Sequence, residues 1–474
     1  MLTNRFHKMP RNALPAEKTA PFPPTRRDTP KPLGVVLAVL VGLVGVGMLS
    51  LAAGGPTIAA VGILHVRPGA GDSGTGTKDR PMSLDKANES ARPGVTFLLA
   101  GGTYRTGISP ARSGEKDAPI VYRAAEPGKA RFDGLDNAVV LTGRGYVHVE
   151  GIAARDVGRW IVSEGGAHHI TVKDCVFENA KGWESCRFRE SGDEIRLLTN
   201  TFKNGTDSVM IETGDRHLIE GNTFDGASHT CLVLMGVQRS VVRNNRFRNQ
   251  KQKCFEVFTT RKRREIPKRL SERNLIEGNI FGPSISSGIQ YAGNRSIIRR
   301  NVFGGCKTGM SWSNYVSKRD YPEAWYNEGN RFYNNTLYGN GTAILLVTQK
   351  RSPAAAGKGL AFGDNLMVNN ILSRNRANLG RKCAPTVQIA FDWDSQPEDA
   401  GIFGNFIFGG NPGVPVLYWC DANEGRRRHP ESLPLKDWER LYPKHAGGNV
   451  EADPRLAAPE KGDFALRPDS PCID

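Results

Sequence analysis

The densest run of cationic side chains in this sequence is Arg261-Lys262-Arg263-Arg264, followed by Lys268, Arg269 and Arg273, just beyond an alternating segment that carries Glu256. Residues 243–300 hold fifteen Lys or Arg against four Glu, a net of +11 within a chain total of +16. Cationic side chains this close together concentrate an anionic ligand; a solvated basic loop, or one that touches anionic lipid, is the plainer alternative. One acidic cluster stands apart, Asp392-Trp393-Asp394 followed by Glu398 and Asp399. On a strand Asp392 and Asp394 share a face, which suits a calcium ion or a carboxylate pair, whereas on a turn they are simply solvated. His168-His169 has no Cys or His at zinc spacing, and His217 in Gly214-Asp215-Arg216-His217 reads as a turn residue. The eight cysteines include no CxxC. Cys231 and Cys254 are one repeat apart and could reach disulfide distance, or serve as buried thiols; Cys383 with Cys420 is the second candidate pair. A tight aspartate set for hydrolysis is missing, since the chain has no Asp-Asp pair and no Gly-His-Gly.

The elements that must position these groups announce themselves as a repeat. IRLLTNTF ends at Phe202, HLIEGNTF at Phe224, SVVRNNRF at Phe247, NLIEGNIF at Phe281 and SIIRRNVF at Phe303, with weaker copies ending at Leu337, Leu372 and Ile407. TVKDCVF, ending at Phe177, puts Cys175 where the others have Asn. The intervals are 22 or 23 residues, or 34 to 35 where about a dozen residues are inserted. Between the copies lie short alternating runs such as Ser208-Val209-Met210-Ile211-Glu212, bounded by Gly, Asn and Asp, which read as strands. A 22-residue unit of two or three strands is one coil of a parallel β-helix, whose stacked coils bury their apolar sides against each other. Equivalent residues then stand roughly 4.8 Å apart, so an Asn at one corner can hydrogen-bond to its copies above and below. Inserts at 259–273, 313–330, 348–363 and 373–386 gather on one side and wall a groove. The last 60 or so residues, with Trp419 and Trp438, are expected to cover the open edge of the final coil.

Upstream, residues 1–32 carry seven Lys or Arg, two acidic residues and seven prolines with no apolar period, which reads as a disordered basic tail. Residues 33–53 form an uncharged stretch about 31 Å long as a helix, against a hydrocarbon core of about 30 Å. With the positive charge before it, this is expected to be a signal anchor that leaves the N-terminus in the cytoplasm and sends the rest across, to the periplasm or cell surface; a cleaved signal peptide is the alternative. The expected organisation is therefore all-β: a basic tail at 1–32, a transmembrane helix at 33–53, and a linker and lead-in at 54–80. The β-helix with its N-terminal cap follows at 81–410, and a C-terminal wrap with the last coil at 411–474.

The coil pattern resembles the right-handed parallel β-helix proteins of the pectate-lyase-like superfamily over nearly everything after residue 62. PMSLDKANESARPGVTFLLAGGTYR (81–105) looks like their capping helix and first strand, and GDFALRPDSPCID (462–474) like their last coil. Residues 93–134 and 245–303 are similar to the alginate lyase and chondroitinase B family, which cleaves uronic-acid chains by β-elimination. In that family a cation acidifies the proton beside the carboxylate and a basic side chain removes it. FEVFTTRK (255–262) resembles the family segment in which an acidic residue precedes the catalytic lysine. The resemblance implies Lys262 or Arg261 as base and Glu256 as a calcium or orienting ligand; the basic run adds Arg263, Arg264 and Lys268, with Arg295, as expected substrate-binding residues. GIQYAGNR (288–295) resembles the segment with the family's catalytic arginine; this chain has Tyr291 there, a residue able to donate a proton. Two functions follow as expectations. One is a lyase acting on an acidic polysaccharide; the other is a noncatalytic surface protein that binds glycan or partners. Nucleic acid is not an expected partner.

Overall fold

The computed structural model describes residues 62–71, 73–260, 269–313, 327–348, 364–375, 388–393, 402–404, 407–409, 417–420 and 433–473, all within the unit Ile58–Asp474. They form a parallel β-solenoid of three sheets. Among the described residues these have 14, 13 and 11 strands, and each strand pairs with its equivalent one coil away. One coil consists of Leu218–Glu220, Thr223–Asp225 and Thr230–Met235. These pair in parallel with Val241–Arg243, Arg246–Arg248 and Lys253–Phe258 of the next. The all-β expectation is met. No described helix is long and apolar enough to cross a membrane, and residues 33–53 lie outside the described residues.

The repeated Asn makes the corner between the first and second sheets. Asn200, Asn222, Asn245, Asn279, Asn301, Asn335 and Asn370 are all buried. Each side-chain NH2 donates to the Oδ1 of the next at 3.0 Å. The backbone N–H donates to that same oxygen at 2.9–3.0 Å. The second amide hydrogen closes on a backbone carbonyl of the coil before, as Asn279 does on Val242 at 2.9 Å. An unpaired polar group enclosed here would cost about 1–3 kcal/mol, so the sequence supplies an amide with two donors and an acceptor at every coil. Cys175 ends the ladder. Its N–H still donates to Asn200 at 3.0 Å, and the coil before it has the apolar Ile152 in register. The residue before each Asn turns through positive φ, as at Gly221 and Gly278, where glycine lowers the cost of the left-handed backbone.

Two residues on, the phenylalanines stack inside the solenoid. Ring centroids from Phe177 through Phe202, Phe224, Phe247 and Phe281 to Phe303 are 4.7–5.4 Å apart. Further along, the strand register pairs Leu372 with Phe408, one residue past the Ile407 that the spacing suggests. Another ladder runs along the corner between the third and first sheets through His217, Ser240, Asn274, Ser296, Asn330 and Asn365. His217 is thus a buried rung rather than a turn residue. Its Nδ1 accepts from Ile195 N–H at 3.0 Å, and Nε2 lies 2.9 Å from the Thr213 carbonyl.

The ends are closed as well. The helix Leu84–Glu89 buries Leu84, Ala87 and Asn88; Asn88 accepts from Ser109 N–H and the Tyr122 hydroxyl, both at 3.0 Å. Strand Ile63–Val66 already pairs with Thr96–Leu99, so the first sheet begins ahead of this helix. At the other end the helix Leu435–Leu441 sinks Trp438 into the core. The segment expected as a last coil instead forms an antiparallel pair, Leu456–Ala458 with Asp463–Leu466.

Cys231 and Cys254 are free thiols inside the solenoid, not the disulfide that their spacing allows. Facing the core, they fill the role of small apolar side chains. Cys383 and Asp394 lie outside the described residues, and the side chains of Asp392 and Cys420 are not described.

Replacing Asn279 by Ala removes the acceptor that both Asn245 N–H groups use. It is expected to lower the unfolding free energy by at least about 2 kcal/mol in denaturant titration. Arg123→Ala, which breaks the half-exposed pair with Glu150, is expected to cost less than about 1 kcal/mol.

Candidate functional site

The third sheet has the longest strands, up to eight residues at Ser284–Tyr291 and Cys306–Ser313, and therefore the broadest outer face. Segments 261–268, 314–326 and 349–363, within three of the four expected inserts, follow the ends of third-sheet strands. The insert expected at 373–386 instead follows the second-sheet strand Ile371–Ser373, so the inserts leave the solenoid at two corners rather than one. At the base of 261–268, Thr260 N–H donates to Arg269 O at 3.0 Å and Arg269 N–H to Thr260 Oγ1 at 2.8 Å. The basic segment consequently leaves and rejoins the solenoid at one point, just beyond Lys253–Phe258.

On the outside of that sheet is a cleft of about 310 Å3 lined by Trp183, Glu184, Asp207, Met210, His229, Val233, Met235, Glu256 and Phe258. Strand register stacks its residues in rows. At the start of successive strands Glu184 pairs with Asp207, Asp207 with Thr230, and Thr230 with Lys253. Three residues along, Arg187, Met210, Val233, Glu256 and Gln290 form a second row. Met210, Val233 and Met235 make a small apolar cluster, with Phe258 against it, separate from the core.

Every ionisable group here has a partner. Glu184 contacts Arg189 and, at 3.7 Å, Arg187. Glu256, buried, accepts from Thr230 Oγ1 at 2.9 Å through one oxygen and contacts Lys253 Nζ through the other. His229 Nδ1 is 2.7 Å from Asp207 Oδ1. That hydrogen bond holds the His229 pKa above its ordinary 6.5, against the opposing effect of burial. Nε2 of His229 has no hydrogen-bond partner among the described residues. The Trp183 ring, 60% exposed, stands 5.3 Å from the imidazole.

Of the residues singled out in the sequence, Glu256 reaches this cleft. Tyr291 does not: it pairs in register with inward-facing Val257 and is fully buried, edge-on to Trp312 at 5.3 Å. Burial pushes its hydroxyl pKa well above the ordinary value, and the neighbour of Glu256 on the outer face is Gln290. Arg295 stands beyond the next corner, 3.7 Å from Glu272 and 3.5 Å from Glu328. Arg261, Lys262, Arg263, Arg264 and Lys268 lie outside the described residues. Much of the remaining basic excess is matched by acids on adjacent coils, as in Arg243–Glu220, Arg248–Asp225 and Arg299–Glu277, or two coils back, as in Arg269–Asp215.

Calcium at Glu256 does not fit these contacts, because an ammonium already occupies one carboxylate oxygen and a hydroxyl the other. Among the described residues no group of three or more His, Cys, Asp or Glu is placed to hold a metal ion. His168 and His169 instead approach each other, Nδ1 to Nδ1 at 2.9 Å, with Tyr146 stacked on His169.

Local motifs could not reveal Trp183, Asp207, His229 and Lys253, which come from different coils. The available signal was positional: Asp207, His229 and Lys253 follow Phe202, Phe224 and Phe247 of the repeat by five or six residues.

Residues 137–266 match a family model described as a right handed beta helix region. With the strand pairing above, this makes the fold of the described residues a right-handed parallel β-helix. This β-helix is 31% identical over 174 residues to pectate lyase L of Thermoclostridium stercorarium, an overlap covering 35% of the chain but 13% of that lyase. Its fold is similar to the A-module of the Azotobacter vinelandii mannuronan C-5 epimerase AlgE6. That likeness has a TM-score of 0.51 and 12% identity, over 78% of this chain and 92% of the module. With the PL6 family alginate lyase AlyGC the TM-score is 0.47 and the identity 16%, over 76% of this chain and 53% of the other. The β-helix thus spans about half of that structure and a small part of the pectate lyase.

The two histidines give pH effects of opposite sign. The raised pKa of His229 contributes stability that is present below 6.5 and lost as pH rises through the folded-state value. Burial lowers the pKa of His217 to about 4, so its contribution is present above 6.5 and lost as pH falls toward 4. Unfolding midpoints measured from neutral pH down to about 4 are expected to fall less steeply in His217→Asn than in the parent.

Proposed function

We propose that this protein binds an acidic polysaccharide along the outer face of the third sheet and cleaves it by β-elimination. The observation that carries the proposal is the cleft itself. Successive coils set three acid–base pairs there, Glu184 with Arg189, Asp207 with His229 and Glu256 with Lys253, directly before the most basic segment of the chain. Sequence likeness to a pectate lyase over residues of this chain supports a uronic-acid polymer as the substrate class.

In this reading Lys262 or Arg261 is the base that takes the proton beside the carboxylate. Arg263, Arg264 and Lys268 attract the chain electrostatically. Buried Glu256 orients Lys253, whose ammonium faces the substrate carboxylate; no step is assigned to calcium. Residues 33–53 anchor the protein in a membrane, with the β-helix periplasmic or at the cell surface.

Glycan binding without cleavage is the second reading, and the closed pairing of the cleft carboxylates is what favours it. Incubating the protein with alginate, pectate and glycosaminoglycans, with and without calcium, separates the two. Cleavage is expected to release products that absorb as unsaturated uronates. Lys262→Ala is then expected to lower the rate about 100-fold or more with little change in binding. A flat trace across the panel, from folded protein still retained by an acidic-glycan column, would leave the binding reading.

A further inference from the structure

We propose that Trp183, His229 and Asp207 form a sugar subsite in which His229 donates the proton that the departing glycosidic oxygen needs. The assignment rests on the elimination reading above and fills the role for which Tyr291, enclosed in the core, has no access to the cleft.

Trp183 is an exposed indole at the rim of a cleft whose floor is otherwise Met210, Val233 and polar pairs. A flat ring presented this way suits the apolar face of a pyranose. His229 stands beside it and lines the cleft, with Nδ1 committed to Asp207 and Nε2 without a hydrogen-bond partner among the described residues. Asp207 is nearly buried, with 9% of its side chain exposed, so its carboxylate is a fixed partner; it is a positioning residue. It holds the ring orientation and favours the imidazolium, which makes Nε2–H the donor. The charged groups around the imidazole are Asp207, Glu256 and Lys253, and the two carboxylates together outweigh the ammonium.

The step balances as follows. The C–H bond beside the carboxylate breaks and its proton passes to the base of the 261–268 segment. The electron pair forms the carbon–carbon double bond, and the bond to the glycosidic oxygen breaks. That oxygen takes the proton from His229 Nε2, and neutral His229 recovers a proton from water.

The test uses the full chain with short mannuronate and galacturonate oligomers, reading product absorbance and Trp fluorescence. His229→Gln is expected to cut the rate about 100-fold while the fluorescence-measured Kd stays within about twofold. Trp183→Ala is expected to weaken binding about fivefold and to leave the pH profile in place. An acid must be protonated to work, so the parent rate is expected to fall as pH rises through the His229 pKa measured by NMR. Because Asp207 raises that pKa, Asp207→Asn is expected to move this alkaline limb to lower pH. If His229→Gln does not fold, the coincidence of the parent limb with the NMR value and its shift in Asp207→Asn decide the matter. A rate unchanged in His229→Gln, or a limb indifferent to Asp207→Asn, overturns the subsite and leaves the lyase reading intact. No product and no fluorescence change with any oligomer overturns both.

Discussion

The rest of the structure depends on a single constraint, that a corner buried at every turn of the solenoid must satisfy its own polar backbone. In a globular domain such corners lie at the surface and water does the work. Here the next coil sits on top, so each corner amide is answered by an asparagine from the neighbouring coil, in a continuous ladder from Asn200 to Asn370. The ladder fixes the vertical register, and the stacked phenylalanines two residues later fill the space it leaves inside. With register fixed at one corner, strand alternation decides every other side chain around the coil.

Function is built on what that register sends outward. The third sheet differs from the other two in strand length and in the inserts that interrupt its far corner. The candidate cleft accordingly lies on its outer face, where Asp207, His229 and Lys253 come from consecutive coils and Trp183 from the approach to the coil before. None of these is close in sequence to its partner, yet the solenoid brings His229 within 2.7 Å of Asp207 and Lys253 into contact with Glu256. Rigid stacking thus supplies the preorganisation that a globular enzyme obtains from loops packed by a second layer of residues. The same stacking neutralises part of the basic excess, because arginines such as Arg243, Arg248 and Arg299 meet an acid one coil away.

The fold was legible because the repeat is a one-dimensional signal: Asn and Phe at fixed offsets need no tertiary information to be read. The site was only partly so. Glu256 stood out because it lies on an alternating strand beside the basic run. Tyr291 misled because a single residue separates the inner face from the outer, and local likeness does not report which of Gln290 and Tyr291 looks out. His217 read as a turn because its hydrogen-bond partners, Ile195 and Thr213, become neighbours only after coiling. Cys231 and Cys254 showed the converse: one-coil spacing is necessary for a cross-link but is equally what two core thiols have. The Asp207–His229 pair left no local trace at all, since its two members are carried by different coils.

The claim that the glycan lies on the outer face of the third sheet can be tested on the methionine methyl groups by NMR. Met210 and Met235 border the cleft, whereas Met310 and Met367 are enclosed in the core. Titration with mannuronate or galacturonate oligomers is expected to move the Met210 and Met235 signals saturably and to leave Met310 and Met367 in place. An oligomer that binds while Met210 and Met235 stay unmoved would contradict the assignment and place the glycan elsewhere on the solenoid.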